Sequence, residues 1–99
     1  MIAFVITRPD GSTERVEFDK RDLRVGRHES NDLVLPDPGV SRYHARLQVA
    51  YGRWYVTDLQ SSNGVFVNGM EISRPAEVVP GDVIDIAGLH LRLIAAESE

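Results

Sequence analysis

The sequence predicts an all-β protein, either a β-sandwich or a barrel, and three features of its 99 residues support this prediction. Apolar and polar residues alternate over short runs, which is the two-residue period of a strand with one buried face. Turn residues recur about every eight to twelve positions, the spacing expected of short strands in a sandwich or barrel. No segment shows the 3.6-residue period of an amphipathic helix.

The predicted strands follow one another along the whole chain. They are residues 2–7, 13–18, 23–25, 33–35, 45–51, 53–59, 65–67, 71–73, 77–79, 83–87 and 89–95. The first two surround a Pro9-Asp10-Gly11 turn, and the strands at 45–51 and 53–59 surround Gly52, so each pair is predicted to form a hairpin. The short segments at 71–73 and 77–79 are predicted edge strands.

Loops and termini are predicted from residues that cannot join a sheet. Pro36 and Pro38 have no N–H to donate to a neighbouring strand, so residues 37–44 are predicted to form a loop. The length fits one domain, residues 1–99. We expect residues 2–95 to be its core and residues 96–99 to be a flexible tail.

Alternation also selects the side chains that should be buried. Ile2, Phe4 and Ile6 share one face of the first strand. The core candidates beyond that strand are Leu33, Leu35, Leu47, Val49, Trp54, Val56, Phe66, Val83, Ile84, Ile86, Leu91 and Leu93. A core of this size needs no disulfide, and the chain has no Cys.

Charge and composition exclude several classes of partner. The formal net charge is −4, which argues against a broad cationic face for nucleic acid. No apolar run is long enough to span a bilayer, so no membrane partner is expected. The first residues lack the basic region and cleavage site of a signal peptide, which predicts a cytoplasmic protein.

Catalytic and metal sites are tested residue by residue. His28, His44 and His90 have neither helical spacing nor Cys companions, so a zinc site is not predicted. Ser41 lies close to His44 in sequence, but no nucleophile elbow or glycine pattern for an oxyanion hole surrounds it. We therefore expect no enzyme activity, no metal and no cofactor.

Anion recognition fits the residues better. A phosphorylated side chain carries nearly two negative charges and three strong acceptor oxygens, which guanidinium, hydroxyl and backbone N–H groups can meet. Arg27, Ser41, Arg42 and Ser62 supply the side-chain groups, and the Asn63 amide can hold an extended peptide. Gly26 is expected to let the chain turn before Arg27. The alternative is that Arg27 is a surface residue paired with Glu29 or Asp32.

The order of these motifs closely resembles that of the forkhead-associated (FHA) domain. The resemblance rests on Gly26-Arg27, Ser41-x-x-His44, Ser61-Ser62-Asn63-Gly64 and Asn68-Gly69, and it extends over nearly the whole chain. It implies a sandwich of two antiparallel sheets with binding loops at one end. It also implies a module that binds phosphothreonine in a peptide or protein, downstream of a Ser/Thr protein kinase.

Roles for individual residues follow from the same resemblance. Arg27 matches the Arg near the phosphothreonine, Ser41 the hydroxyl that binds the phosphate, and Arg42 a second phosphate contact. Ser62 matches a residue that touches the phosphothreonine, and Asn63 the residue that fixes the peptide main chain. The architectural positions at the site are Gly26, His44, Gly64, Asn68 and Gly69. His44 would bond across the base of the binding loop, while Asn68 and Gly69 would shape the same rim, with an occasional peptide contact from Asn68.

Two positions depart from the family pattern, and one alternative function stays open. The family often has Ser-Thr-Asn-Gly-Thr where this chain has Ser-Ser-Asn-Gly-Val over residues 61–65. Ser62 therefore lacks the methyl group of the family's first Thr, and Val65 lacks the hydroxyl group of the second. The phosphate contacts survive this change, whereas selectivity for threonine is less well supported. The alternative is a protein interaction or assembly domain that uses a sheet face without any phosphate.

Overall fold

Two packed β-sheets form the fold. The structure is a computed structural model that describes residues 1–98, and these residues form eleven strands. The strands are β1 Ile2–Thr7, β2 Thr13–Phe18, β3 Asp22–Gly26, β4 Leu33–Val34, β5 Ala45–Ala50, β6 Arg53–Asp58, β7 Val65–Val67, β8 Met70–Glu71, β9 Ala76–Val78, β10 Val83–Ile86 and β11 Leu89–Ala96. One sheet has the order β2-β1-β11-β10-β7-β8 and the other β4-β3-β5-β6-β9. The predicted β-sandwich is confirmed.

The strand pairing is antiparallel with one exception within residues 1–98. Strand β4 runs parallel to β3, with Val25 opposite Leu33 and Gly26 opposite Val34. The second sheet is therefore mixed, although the sequence predicts purely antiparallel sheets. The 27–32 loop leaves the end of β3 and brings the chain back beside Val25, where β4 begins in the same direction as β3. This makes the parallel pairing possible.

Both predicted hairpins are present with a register that buries one face. Strands β1 and β2 pair from Ile2 opposite Phe18 to Thr7 opposite Thr13. In the β5–β6 hairpin, Leu47 lies opposite Val56. Because side chains alternate between the two faces of a strand, each register sends one apolar set into the core.

The buried apolar side chains of the described residues form one cluster between the sheets. It contains Ile2, Phe4, Ile6, Leu23, Val25, Leu33, Leu35, Val40, Ala45, Leu47, Trp54, Val56, Val65, Val78, Ile84, Ile86, Leu89, Leu91 and Leu93. Three predicted core residues, Val49, Phe66 and Val83, are only half-buried. Phe66 pairs with Asp85, which alternates with buried Ile84, so Phe66 lies on the outer face of its sheet. Val83 shares that outer face.

The end of the chain is more ordered than the sequence predicts. Ala96 belongs to β11 and pairs with Ile2. The Glu97 N–H donates to the Met1 carbonyl over 2.7 Å, and Trp54 Nε1 donates to the Glu97 carbonyl over 3.0 Å. Residues 96 and 97 are therefore held by backbone bonds and are not a free tail, while Glu99 lies outside the described residues.

Three loops of the mixed sheet meet at one end of the sandwich. Strand β3 ends where β5 begins, and β5 is antiparallel to β6, so the 27–32, 35–44 and 59–64 loops share that end. The predicted 37–44 loop lies among them. None of residues 1–98 forms a helix long and apolar enough to cross a bilayer.

Candidate functional site

Gly26 lets two of these loops approach each other closely. The Arg27 N–H donates to the Ser41 carbonyl over 3.0 Å, and the His28 N–H donates to the Arg42 carbonyl over 3.2 Å. A Cβ atom at Gly26 would lie only 2.2 Å from that Arg42 carbonyl oxygen. Gly26 is thus required for a close contact between backbones, and not for the turn that the sequence suggests.

Asn31 holds the same two loops together, and the sequence gives no sign of this role. The residue is buried, with 7% of its surface exposed. Its Nδ2 donates to the carbonyls of His28 and Arg42, each over 2.7 Å. An Asn in a loop usually has a local turn explanation, so only the contact across the loops identifies this one.

His44 connects the 35–44 loop to the 59–64 loop. Its side chain is fully buried, and its Nδ1 accepts the Ser41 backbone N–H over 3.0 Å. Nε2 lies 2.8 Å from the Gly64 carbonyl oxygen. Nδ1 accepts the Ser41 N–H and therefore carries no hydrogen of its own. The Gly64 carbonyl oxygen can only accept a hydrogen bond, so Nε2 must carry the ring hydrogen that it donates there. This places His44 across the base of the loop that carries Ser41.

Ser41 and the 59–64 loop present hydrogen-bonding groups at the surface. Ser41 Oγ accepts the Ser62 backbone N–H over 3.0 Å, which leaves its own hydrogen available to an external acceptor. Asn63 Nδ2 donates to the Gly39 carbonyl over 2.7 Å, and its Oδ1 accepts nothing within residues 1–98. Ser62 and Asn63 are both exposed.

The loop that carries Ser62 and Asn63 is fixed by residues for which the sequence predicts no role. The Ser61 hydroxyl accepts the Gly64 N–H over 3.0 Å, and Asp58 Oδ1 accepts the Ser61 N–H over 3.0 Å. Gly64 has a positive φ of 81°, a conformation that side chains disfavour. The available signal was Ser61, two residues before the Asn63-Gly64 pair, because short hydroxyl side chains cap nearby N–H groups.

Arg27 and Arg42 bring two cationic groups to this surface. Arg27 Nε donates to the Val40 carbonyl over 2.9 Å, which fixes the base of its guanidinium group and leaves the terminal nitrogens available. Within residues 1–98 neither arginine makes an ion pair, whereas Arg8, Arg15, Arg46 and Arg53 do so. Asp32 pairs with Lys20 and not with Arg27.

Two predicted site residues lie elsewhere. Asn68 and Gly69 form the β7–β8 turn, at the opposite end of β7 from Gly64. Asn68 Nδ2 donates to Asp82 over 3.0 Å, and its Oδ1 accepts the Val83 N–H over 3.0 Å. The strand between Gly64 and Asn68 spans roughly 13 Å. The expectation that this turn shapes the binding rim is therefore corrected, because Asn68 holds the β9–β10 turn instead.

The remaining arrangement is suited to an anion. Arg27, Ser41 and Asn63 are brought together from three loops by hydrogen bonds, and Arg42 and Ser62 lie next to Ser41 and Asn63 in the same loops. Charge-assisted hydrogen bonds from such a set are the strong ones in proteins. Among residues 1–98 no group of three or more His, Cys, Asp or Glu side chains is arranged to hold a metal ion.

Comparison with known proteins assigns the chain to a family. The model of the FHA domain matches residues 23–87, the part of the chain that contains all three site loops. The chain belongs to the FHA domain family. The resemblance inferred from the sequence motifs is confirmed.

Individual relatives share this FHA domain across most of its length. The oxoglutarate dehydrogenase inhibitor of Corynebacterium glutamicum is 34% identical over 96 residues, which are 96% of this chain and 66% of the relative. A structure of Mycobacterium tuberculosis EmbR in complex with a low-affinity phosphopeptide is 28% identical, with a TM-score of 0.80, over 99% of this chain and 25% of that one. A second structure, from work on phosphothreonine-dependent FHA domain interactions, is 25% identical with a TM-score of 0.75, over 95% of this chain and 97% of that one. The chain thus spans slightly less than two thirds of that inhibitor and a quarter of EmbR.

Proposed function

We propose that this FHA domain binds phosphothreonine in peptides or proteins. The observation that carries the proposal is a pair of arginines that make no ion pair within residues 1–98: Arg27, whose backbone N–H donates to the Ser41 carbonyl, and Arg42, which follows Ser41 in the chain. These arginines and the Ser41 hydroxyl neutralise the phosphate, and Ser62 adds a hydroxyl at its edge. The Asn63 Oδ1 accepts a backbone N–H of the peptide.

The affinity follows from these contacts. Each charge-assisted hydrogen bond contributes about 1.5–3 kcal/mol. Several of them, after the cost of fixing a flexible peptide, support micromolar binding, or about −8 kcal/mol. The loops are already held by His44 and Asn31, so the protein loses little conformational entropy on binding.

The partner is the phosphorylated product of a Ser/Thr protein kinase. Support comes from the two structural relatives, one in complex with a phosphopeptide and one from work on phosphothreonine-dependent interactions. The function is binding without catalysis, and the FHA family and the regulator names of the relatives support this statement. The cytoplasmic location stays a prediction.

Substitution of the phosphate ligands tests the proposal. We expect Arg27→Ala and Ser41→Ala each to weaken binding of a phosphothreonine peptide by about 10- to 150-fold, because each removes a charge-assisted bond. Arg92→Ala is the matched control, since Arg92 is exposed on β11 and makes no ion pair within residues 1–98. Calorimetric titration measures binding, and circular dichroism verifies the fold.

The same titration includes unphosphorylated and phosphoserine versions of the peptide. If the folded Arg27→Ala and Ser41→Ala variants bound the phosphothreonine peptide as tightly as the wild-type domain does, the site would be refuted. Weaker binding of the phosphoserine peptide is the result expected of a threonine-selective module. If the phosphothreonine and phosphoserine peptides bound equally well, the domain would not be selective for threonine, but the proposed phosphate site would still stand.

A second candidate function has one observation in its favour. An apolar groove of about 420 Å³ lies on the outer face of the β5–β6 hairpin and is lined by Gln48, Ala50, Tyr51, Tyr55, Thr57 and Pro75. A partner that binds this sheet face would not need a phosphate. Phosphatase treatment of the partner separates the two functions, because it abolishes binding at the loops and leaves binding at the groove unchanged.

A further inference from the structure

A stacked pair of aromatic rings lies beside the two arginines of the site and has no part in the proposed phosphate contacts. The His28 and Tyr43 rings have centroids 5.5 Å apart and planes inclined by 28°. Ser30 Oγ lies 2.8 Å from His28 Nδ1 and 2.9 Å from the Tyr43 hydroxyl, so one serine bridges both rings. We call His28, Ser30 and Tyr43 the ring platform.

Hydrogen bonds fix the edges of the ring platform, whose two aromatic residues are both exposed. The Ser30 backbone N–H donates to His28 Nδ1 over 3.0 Å, which fixes this edge of the imidazole ring. The Tyr43 hydroxyl is occupied by Ser30, while 42% of Tyr43 is exposed. A rigid aromatic surface of this kind loses little entropy when it receives a ligand.

The backbone couples the ring platform to the phosphate ligands. His28 follows Arg27 directly, Tyr43 follows Arg42, and the His28 N–H donates to the Arg42 carbonyl. An extended peptide advances about 3.3 Å per residue. A peptide whose phosphate is held by Arg27 and Arg42 therefore has a residue within a few positions of the phosphothreonine that reaches the rings.

The surrounding charges select the kind of side chain that fits. Glu29 is exposed between His28 and Ser30 and makes no ion pair within residues 1–98, so it repels an acidic side chain. Arg27 and Arg42, the chain neighbours of His28 and Tyr43, repel a basic one. An uncharged aromatic side chain avoids both penalties and gains stacking contacts with the rings.

We propose that the ring platform is a specificity surface that takes an aromatic side chain of the phosphopeptide, close to the phosphothreonine. This inference rests on the proposed function, because the phosphate contacts bring the peptide to the loops. It adds a sequence preference that the phosphate contacts alone do not supply, since every phosphothreonine presents the same phosphate.

A substituted peptide series tests the ring platform. In a phosphothreonine peptide with Ala at the flanking positions, each of the three positions on either side is replaced in turn by Phe, Asp or Lys. We expect Phe at one position to bind the wild-type domain about three- to tenfold more tightly than Ala. In Tyr43→Ala this preference disappears, while Tyr51→Ala, which removes an exposed Tyr from the distant β5–β6 turn, retains it.

Failure of this inference and failure of the proposed function give different results. If the wild-type domain binds the phosphopeptide without any preference for Phe, or if Tyr43→Ala keeps the preference, the ring platform is not a specificity surface. A preference for Asp or Lys that is lost in Tyr43→Ala also overturns it. If no phosphopeptide binds at all, the proposed function fails and the inference fails with it. Binding of the all-Ala phosphopeptide by Tyr43→Ala verifies that this variant is folded.

Discussion

Gly26, Asn31 and His44 are the residues on which the geometry of the site depends, although none of them is proposed to touch the ligand. Gly26 removes the side chain that would separate two loops, and Asn31 bonds to both of them. His44 joins the third loop through its two ring nitrogens. Asn31 Nδ2 and both ring nitrogens of His44 have hydrogen-bond partners, and any other arrangement of the loops would leave these buried groups without them, while Asn31 Oδ1 has no partner within residues 1–98.

The contact at Gly26 leads to a prediction for Gly26→Ala. A Cβ atom 2.2 Å from the Arg42 carbonyl oxygen forces the Arg27 and Ser41 backbones apart. We expect a loss of about 1–3 kcal/mol in the free energy of unfolding, measured by urea denaturation. Phosphopeptide binding should weaken as well, because Arg27 and Ser41 no longer keep their spacing.

Gly11→Ala is the matched control for this substitution. Gly11 has a positive φ of 87°, and no atom lies within 4 Å of its added Cβ. Its replacement costs only backbone strain, about 1–2 kcal/mol, and leaves peptide binding unchanged. Unaltered peptide affinity in Gly26→Ala would show that the close approach of the loops is not needed for the site.

At the scale of the elements, the hairpin turns set the strand registers, and three of them contain residues with positive φ at both central positions. Both central residues have positive φ in the Tyr51-Gly52, Asn68-Gly69 and Ala87-Gly88 turns. Type I′ turns require this conformation and match the twist of the flanking strands. Of these three turns, only Asn68-Gly69 has the residue types that predict a type I′ turn, because Tyr and Ala disfavour positive φ. In the other Asn-Gly pair, Asn63-Gly64, only the glycine adopts it.

The strained turn at Tyr51 leads to a stabilising substitution. Tyr51 has a φ of 54° and is 97% exposed, so its side chain contributes little packing. Asn tolerates positive φ, and we expect Tyr51→Asn to raise the free energy of unfolding by about 0.5–1 kcal/mol. The corresponding rise in Tm is about 2–8 °C, measured by differential scanning calorimetry.

The control for the turn is Tyr51→Ala, which removes the same ring but keeps a residue that disfavours positive φ. It should not stabilise the domain. An equal gain in both variants would assign the effect to loss of the exposed ring and not to the turn. Peptide affinity should stay constant in both, because the β5–β6 turn lies at the opposite end of the sheet from the site loops.

At the scale of the whole molecule, two aspartates pair with basic side chains other than Arg27 and Arg42, on a chain of net charge −4. Asp32 accepts hydrogen bonds from Lys20 Nζ and the Arg24 N–H, and Asp22 accepts from Arg46. The Lys20 bond, followed by the Arg24 N–H, lowers the pKa of Asp32 below its ordinary value of 3.8. The bond from Arg46 lowers the pKa of Asp22 in the same way.

These lowered pKa values predict an acid-dependent loss of stability. A carboxyl group with a lowered pKa in the folded state stabilises the fold above its unfolded pKa of about 3.9, and this contribution disappears as the pH falls further. We expect Asp32→Asn to be less stable than the wild type at pH 7, with the difference shrinking below pH 4. Urea denaturation across this pH range measures it.

Asp19→Asn is the control for acid dependence, because Asp19 makes no side-chain hydrogen bond or ion pair within residues 1–98. It should have the same stability as the wild type at both ends of the pH range. If the difference between Asp32→Asn and the wild type stayed constant from pH 7 to pH 3, ionised Asp32 would not be the stabilising group.

Most of the fold could be predicted from the sequence because strand formation depends on local patterns. The apolar alternation located all the strands to within a few residues, and the motif order identified the family. Phe66 and Val83 were misassigned to the core because alternation shows that two faces differ and not which face is inside. Residues 96 and 97 were misassigned to a tail because their partners, Met1 and Trp54, lie far away in sequence.

The sequence by itself determined the strands and the family and predicted the residues that we propose to bind a phosphate, since these depend on local pattern and side-chain chemistry. Only the tertiary structure decided which residues meet. It brought Arg27, Ser41 and Asn63 to one end, moved Asn68 to the other, and stacked Tyr43 on His28. The reason is physical: these contacts join residues on different loops, and their geometry exists only after strand pairing has placed the loops side by side.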